Sequence, residues 1–492
     1  MAVNLSIPEV ETRDHRLGAI IAFNGSAQAL VRQSKNKGVR EHTRGFSQCS
    51  DCAQGCAETL TYLVKDSAVV MHSPLGCCNP AIYTMGAEVA TKMRGLEPYK
   101  VHAVSTNMSV KDTVYGGVQK LREAVLESYR RFNPKVIFIQ SSCAAGIIGD
   151  DIESVVDELE SELPVPLVPV YCEGFKSKTW ASGFDAVFHG TLRKIVRKPQ
   201  KKDPDLVNIF NFQGCDTFTP LFERLKLKAN LVVPLATVEG LASMGEAACS
   251  THICETLGTY VAEALEQKFG VPQIKAPSPY GINWTDEWIR ALCKETDRIE
   301  LGELLIRAEH ERIAPRLEAL RKRLAGKTAY LFAGDTYAHN LANIVKDLGM
   351  NVSGITTLHH DQVTDSPDEK FNTLNELTQS IGDVEHLCVA NKQPFMMVKI
   401  LRNLHPDILI TRHNNIDVVG AKLGIPSIRA NDANVISCYD GVLNIGQRIV
   451  DALDAKKFYE TVAEHVKLPY SSWWLNEEPD PYYFDRDGEV TL

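Results

Sequence analysis

Short, continuously apolar runs separated by longer helical stretches constrain this chain more than any other feature of its sequence. Ser67-Ala-Val-Val-Met-His72, Lys135-Val-Ile-Phe-Ile-Gln140 and Pro166-Leu-Val-Pro-Val-Tyr171 lack polar alternation, as strands do when both sheet faces are covered. Between them, Lys111 to Phe132 and Asp151 to Leu163 have the content and length of helices. Strands that alternate with helices build right-handed βαβ units, so parallel, doubly wound α/β sheets are expected. The pattern restarts twice. Leu206-Val-Asn-Ile-Phe-Asn211 follows the basic stretch Arg193 to Lys202, which reads as a linker. Lys327-Thr-Ala-Tyr-Leu-Phe-Ala-Gly334 follows a charge-alternating helical stretch from Trp288 to Leu324, and its unit continues through Asn351-Val-Ser-Gly354 and Asp407-Ile-Leu-Ile-Thr411. At 492 residues one core is not enough. The expected organisation is an arm over residues 1–45, then three Rossmann-like α/β domains at 46–205, 206–326 and 327–492, the last with a C-terminal tail. Residues 1–45 carry many charges and no clear periodicity, so they read as an extended arm lying on the surface or on a partner. Ligands are expected at the carboxyl ends of strands.

The formal charge of −9 argues against nucleic acid, which demands a basic surface to displace counterions from phosphates. No uncharged apolar stretch reaches the roughly 18 residues needed to span a bilayer, and no N-terminal apolar run resembles a signal peptide. A cytoplasmic protein with neither membrane nor nucleic-acid partners is expected. There is no Walker phosphate loop and no Gly-x-Gly-x-x-Gly after a strand, so nucleotide binding is not expected. Thirteen cysteines in a reducing compartment point to metal or catalysis before disulfides. Cys172, Cys215, Cys249, Cys293 and Cys388 read as small buried apolar residues.

The informative cysteines lie in Arg44-Gly-Phe-Ser-Gln-Cys-Ser-Asp-Cys-Ala-Gln-Gly-Cys56, in His72-Ser-Pro-Leu-Gly-Cys-Cys78 and in Gln140-Ser-Ser-Cys-Ala-Ala-Gly-Ile-Ile-Gly-Asp-Asp151. Thiolates are the usual ligands of iron-sulfur clusters. A cysteine between a strand and a helix also lies where backbone amides stabilise an anion. Spacing alone leaves zinc open, because Cys49 and Cys52 form a Cys-x₂-Cys pair.

These motifs together resemble the α subunit of the nitrogenase component-1 family. Cys172-Glu-Gly-Phe175, Cys254 with Gly270-Val-Pro272 sixteen residues on, Pro406-Asp and Gly424-Ile-Pro426 match further family segments in the same order, so the resemblance covers residues 40 to 445. It implies the component-1 fold, three doubly wound domains around a buried metallocluster. It also implies that Cys52, Cys77 and Cys143 bind an 8Fe-7S P-cluster shared with a β-like (K-type) subunit in an α2β2 heterotetramer. Cys49 and Cys56 compete for the first position. Cys254 would ligate a large 8Fe-9S-C-type cofactor, for which an iron-only composition is expected. Electrons would come from an ATP-dependent iron protein carrying a 4Fe-4S cluster.

The chain departs from nitrogen-reducing members where it matters for chemistry. A glutamine and a histidine that touch the family's cofactor fall on Trp180 and Phe184, and the second cofactor ligand, a histidine, falls on Asn431. Indole is a very weak acid that only donates hydrogen bonds, phenyl is neither donor nor acceptor, and a carboxamide binds iron poorly. His359 and His360, after a third-domain strand, are candidate ligands or proton donors, with His360 the expected cofactor ligand. His413 and Cys438 come behind them. His252 reads as a helix residue facing a partner. The closest resemblance is to the catalytic α-like (D) subunit of methylthio-alkane reductases. It implies reductive C–S cleavage of small thioethers such as 2-(methylthio)ethanol or dimethyl sulfide to methanethiol and a hydrocarbon. A nitrogenase α subunit or a non-catalytic cofactor scaffold is the alternative.

Overall fold

Each of the quoted apolar runs forms a strand in the computed structural model, which describes residues 2–39, 52–212, 214–365, 373–390, 394–413 and 415–476. In chain order the strands are β1 (Ala19–Ile20), β2 (Ala22–Gly25), β3 (Ser67–His72), β4 (Ala103–Ser105), β5 (Val136–Ser141), β6 (Leu167–Tyr171), β7 (Asp203–Phe210) and β8 (Lys228–Val232). They continue with β9 (Ala247–His252), β10 (Thr328–Ala333), β11 (Asn351–Thr357), β12 (His360–Asp361), β13 (Leu387–Ala390), β14 (Ile408–Thr411) and β15 (Ser427–Arg429). Five helices bear on function: α1 (Ala53–Thr61), α2 (Cys143–Ile148), α3 (Ser182–Lys194), α4 (Glu255–Phe269) and α5 (Asp335–Asp347).

The chain divides into two compact units. The first comprises residues 1–16, 51–274 and 290–302. It contains two wholly parallel sheets, ordered β4-β3-β5-β6 and β8-β7-β9. Residues 51–205 and 206–274, which the sequence suggested as parts of separate domains, thus contribute one sheet each to a single unit. The second unit comprises 17–50, 275–289 and 303–492. Its six-stranded sheet runs β15-β14-β10-β11-β13-β2, parallel except for antiparallel β2 at the edge. The chain leaves β10 for β11 and β13 on one side, then returns to β14 and β15 on the other, which is doubly wound order. Among the described residues no helix is long and apolar enough to cross a membrane.

The expected N-terminal arm is corrected. β2 pairs with β13 in the register Cys388 to Asn24, β1 pairs with β12, and Ala19, Ile20, Ala27 and Leu30 are buried. Two- and four-residue strands are too short to print a period in the sequence. The long helical stretches are also broken. Lys111 to Phe132 divides into Val110–Tyr115 and Val118–Phe132, and Trp288 to Leu324 spans the end of Ile282–Glu295 and all of Ile299–Leu324.

Helix α3 organises the first unit. Residues Ser182 to Leu192 are all buried, and the helix packs on both α1 and α4. Its approach to α1 requires glycine: a Cβ on Gly183 would lie 1.9 Å from the Ala53 carbonyl oxygen and 3.0 Å from Cys56 Cβ. Backbone cannot yield as a side-chain tip can. Gly183→Ala should therefore cost about 1–3 kcal/mol or more, read as a lowered denaturant midpoint, and an unchanged midpoint would show that α3 and α1 are free to separate. Two buried arginines hold α3 from the other side. Arg13 donates to Asp185 from Nε (2.9 Å) and Nη2 (2.8 Å) and also reaches the Thr256 carbonyl of α4. Arg16 pairs with the same carboxylate and lies over the Tyr260 ring at 5.0 Å.

Candidate functional site

The carboxyl ends of β3, β5 and β6 are neighbours in one parallel sheet, and each delivers a residue to the same place. Cys77 closes the single turn Leu75–Cys77 beyond β3, Cys143 opens α2 directly after β5, and Gly174 lies just beyond β6. Cys52, the extended N-cap of α1 (φ −134°), completes the group. A Cβ on Gly174 would fall 2.9 Å from Cys52 Cβ and 3.5 and 3.6 Å from the Sγ atoms of Cys52 and Cys143, so two thiols face one bare patch of backbone. Burial, then Cys143 and Glu58, push the Cys77 thiol up, and Gln54 Nε2 donates to the Cys77 carbonyl at 3.0 Å, which ties the Cys77 turn to the start of α1.

The loops are fastened by residues that the motif contained but whose role spacing could not reveal. His72 Nε2 lies 2.8 Å from Asp150 Oδ2, and Asp150 also accepts the Gly117 N–H at 3.0 and 3.1 Å. Burial holds His72 below its ordinary value although Asp150 opposes this. Glu173, beside Gly174, accepts from Ser141 Oγ at 2.6 Å. Cys172 is buried with its thiol on the Ser141 carbonyl at 3.4 Å, in keeping with a packing role.

Of the competing cysteines, Cys56 points into the apolar core and Cys49 lies outside the described residues. Among the described residues no three His, Cys, Asp or Glu side chains converge on one metal ion. Soft thiols spaced around a glycine cradle and open on one side suit a polynuclear cluster completed from elsewhere.

Cys254 is the extended N-cap of α4 (φ −162°, ψ 124°), with 5% of its surface exposed. The amino end of a 15-residue helix favours a thiolate. Cys254 belongs to the same apolar cluster as Phe184, with Trp180 and Phe212 packed against it. The Trp180 and Phe184 rings meet edge to face at 5.8 Å, and Phe184 and Phe212 lie 5.9 Å apart. Phe212 was not singled out by sequence reasoning. His252 is corrected: it is the last residue of β9, not a helix residue, and is buried with its Cβ beside Gly258.

In the second unit His359 follows β11 and is buried, its Nε2 4.0 Å from an Asp361 oxygen. His360, the expected cofactor ligand, has both ring nitrogens within hydrogen-bond distance of carboxylates. Its Nδ1 lies 3.1 Å from Asp335 and its Nε2 2.7 Å from Asp365. A ring that donates to both carboxylates carries a proton on each nitrogen. Burial works against that charge, yet Asp365 and Asp335 hold His360 well above its ordinary value. Asn431 is exposed beyond β15. His413 has φ +80° and lies beside Gly334. Cys438 opens the helix Cys438–Asp454, and burial pushes its thiol up to about 12, which suits a neutral packing residue.

A multi-sheet α/β chain that gathers thiols at the carboxyl ends of parallel strands is the class these observations define. Residues 52–454 match the family model described as Nitrogenase component 1 type Oxidoreductase, and the chain belongs to that family. It is 30% identical over 315 residues to the nitrogenase molybdenum-iron protein alpha chain of Methanosarcina barkeri, a match covering 61% of this chain and 58% of that relative. It is 27% identical over 460 residues to the nitrogenase iron-molybdenum cofactor biosynthesis protein NifE of Methanococcus maripaludis, covering 89% and 91%. The solved structure of nitrogenase Cp1 at pH 5 superposes with a TM-score of 0.70 at 24% identity, over 89% of this chain and 95% of that one. The fold is therefore that of nitrogenase component 1.

Proposed function

We propose that this chain is the catalytic α-type subunit of a nitrogenase-like reductase that cleaves C–S bonds of small methylthio-alkanes. For dialkyl sulfides the overall change is R–S–CH₃ + 2e⁻ + 2H⁺ → R–H + CH₃SH, and for 2-(methylthio)ethanol, whose hydroxyl leaves as water, it is HOCH₂CH₂–S–CH₃ + 2e⁻ + 2H⁺ → C₂H₄ + H₂O + CH₃SH; in both the C–S bond breaks and the sulfur leaves as methanethiol. Cys52, Cys77 and Cys143 would bind one cluster, completed by a β-like subunit. Leu75, Ile147 and Phe175 are exposed apolar residues flanking those cysteines and Gly174, the surface such a subunit would cover. Cys254 would anchor the large cofactor, which when bound supplies electrons and a soft surface for a thioether sulfur. An ATP-hydrolysing iron protein would deliver those electrons.

The observation that carries the reading is the aromatic packing of Trp180 and Phe184 in the cluster that contains Cys254. Neither side chain relays protons to a bound weak base, and both exclude water, which suits an uncharged methyl thioether. A cofactor-scaffold role has its own support in Asn431 and in the similarity to NifE over most of the chain. One experiment separates the readings. The anaerobically purified complex, with its reductase, ATP and a low-potential donor, should release methanethiol with ethylene, ethane or methane from 2-(methylthio)ethanol, ethyl methyl sulfide or dimethyl sulfide, and give little ammonia from dinitrogen. Ammonia without hydrocarbon would return the chain to nitrogenase proper. Surrender of a cofactor to an empty nitrogenase, without turnover of any thioether, would establish the scaffold.

A further inference from the structure

Asn211, the residue after β7, is fully buried, and among the described residues neither Nδ2 nor Oδ1 of its carboxamide has a hydrogen-bond partner. Its backbone N–H is satisfied by the Val232 carbonyl at 3.2 Å. A buried amide with both ends unmet is costly, and such groups in a folded protein need a reason. The strand itself shows that the fold can meet this demand. Three residues earlier, the equally buried Asn208 donates to the Met244 carbonyl at 2.9 Å and accepts from Asn230 Nδ2 at 2.9 Å.

The place of the unmet amide is informative. β7 is the central strand of β8-β7-β9, and carboxyl ends of parallel strands are where ligands bind. Phe210 pairs with His252, and the Ile253 N–H donates to the Phe210 carbonyl at 3.1 Å. Asn211 is thus level with the short segment that leads into Cys254. Its neighbour Phe212 joins the Phe184 and Trp180 wall. We infer that Asn211 is a positioning residue whose Nδ2 donates a hydrogen bond to a sulfide of the group anchored at Cys254. This rests on the reading of Cys254 as a cluster ligand. A donor to a cluster sulfide stabilises the more reduced, more negative state, so it raises the reduction potential.

The test is Asn211→Leu, close in shape and without polar atoms, in the full chain purified anaerobically with its subunits. Replacing an unsatisfied amide by an apolar isostere is neutral or stabilising for the empty protein, so the cluster-stripped variant should melt at or above the wild-type temperature. The loaded variant should hold its cofactor about tenfold more weakly and titrate at a lower potential. Asn211→Ser, which keeps a donor in less volume, should fall between the two. A cluster-stripped Asn211→Leu protein that melts far lower would mark a purely structural residue and overturn the inference. Unchanged retention and potential, while Cys254→Ala removes the cofactor, would overturn the role of Asn211 alone. Iron content unaffected by Cys254→Ala would overturn both the anchor and the inference.

Discussion

Cys254→Ala is expected to remove the large cofactor and lower reductive activity more than about a hundredfold, beyond what loss of an outer-shell partner costs, while the signal of the other cluster survives. The substitution is cheap for the fold. Cys254 caps α4 without a side-chain capping bond, so alanine forfeits none of the usual N-cap stabilisation. The remaining cysteines of the site sit elsewhere, on the loops beyond β3 and β5 and at the start of α1. Iron analysis with electron paramagnetic resonance on the anaerobic complex reads both centres at once. Loss of both signals from a folded protein would mean that the ligands have been divided wrongly between the two clusters.

Asp185→Ala should destabilise the first unit by about 3–5 kcal/mol, the cost of stranding buried charge. The carboxylate is 1% exposed and faces two guanidinium groups, Arg13 at 2% and Arg16 at 9%. Removing it leaves two cations that water cannot reach. Asp185 is also the residue after Phe184, and Arg13 bridges it to the Thr256 carbonyl two residues past Cys254. Loss of the pair should therefore loosen the aromatic wall and weaken cofactor retention along with stability. Urea denaturation of the cluster-stripped chain measures the first effect. A change below about 1 kcal/mol, the scale of an exposed pair, would show that the arginines are hydrated in solution.

The parallel strands were legible because a strand covered on both faces writes a continuous apolar run. Cys52, Cys77, Cys143 and Cys254 came into view by a different route, short motifs that resemble those of a known family. What the sequence hid depends on partners far along the chain. β2 is a strand only because β13 stands ready to pair with it. The carboxylate partners of His360, Asp335 and Asp365, lie on segments whose approach local sequence does not reveal. The choice between Cys52 and Cys56 turns on helical phase: the first caps α1, and the second, one turn in, faces the core. His252 lies a residue pair short of a helix, a boundary that periodicity cannot locate.

The pairing of β2 with β13 also sets an order of events during synthesis. Residues 22–25 must find residues 387–390, which at about 5–20 residues per second leave the ribosome roughly 20–70 s later. Both sheets of the first unit, by contrast, are drawn from residues 67–252. The thiols of Cys52, Cys77 and Cys143, and Cys254 at its separate place, can therefore be positioned while the segment from Leu17 onward still waits for its sheet. For that interval the nascent chain carries a first unit whose sheets can already close and a strand, β2, whose pairing partner has not yet been made.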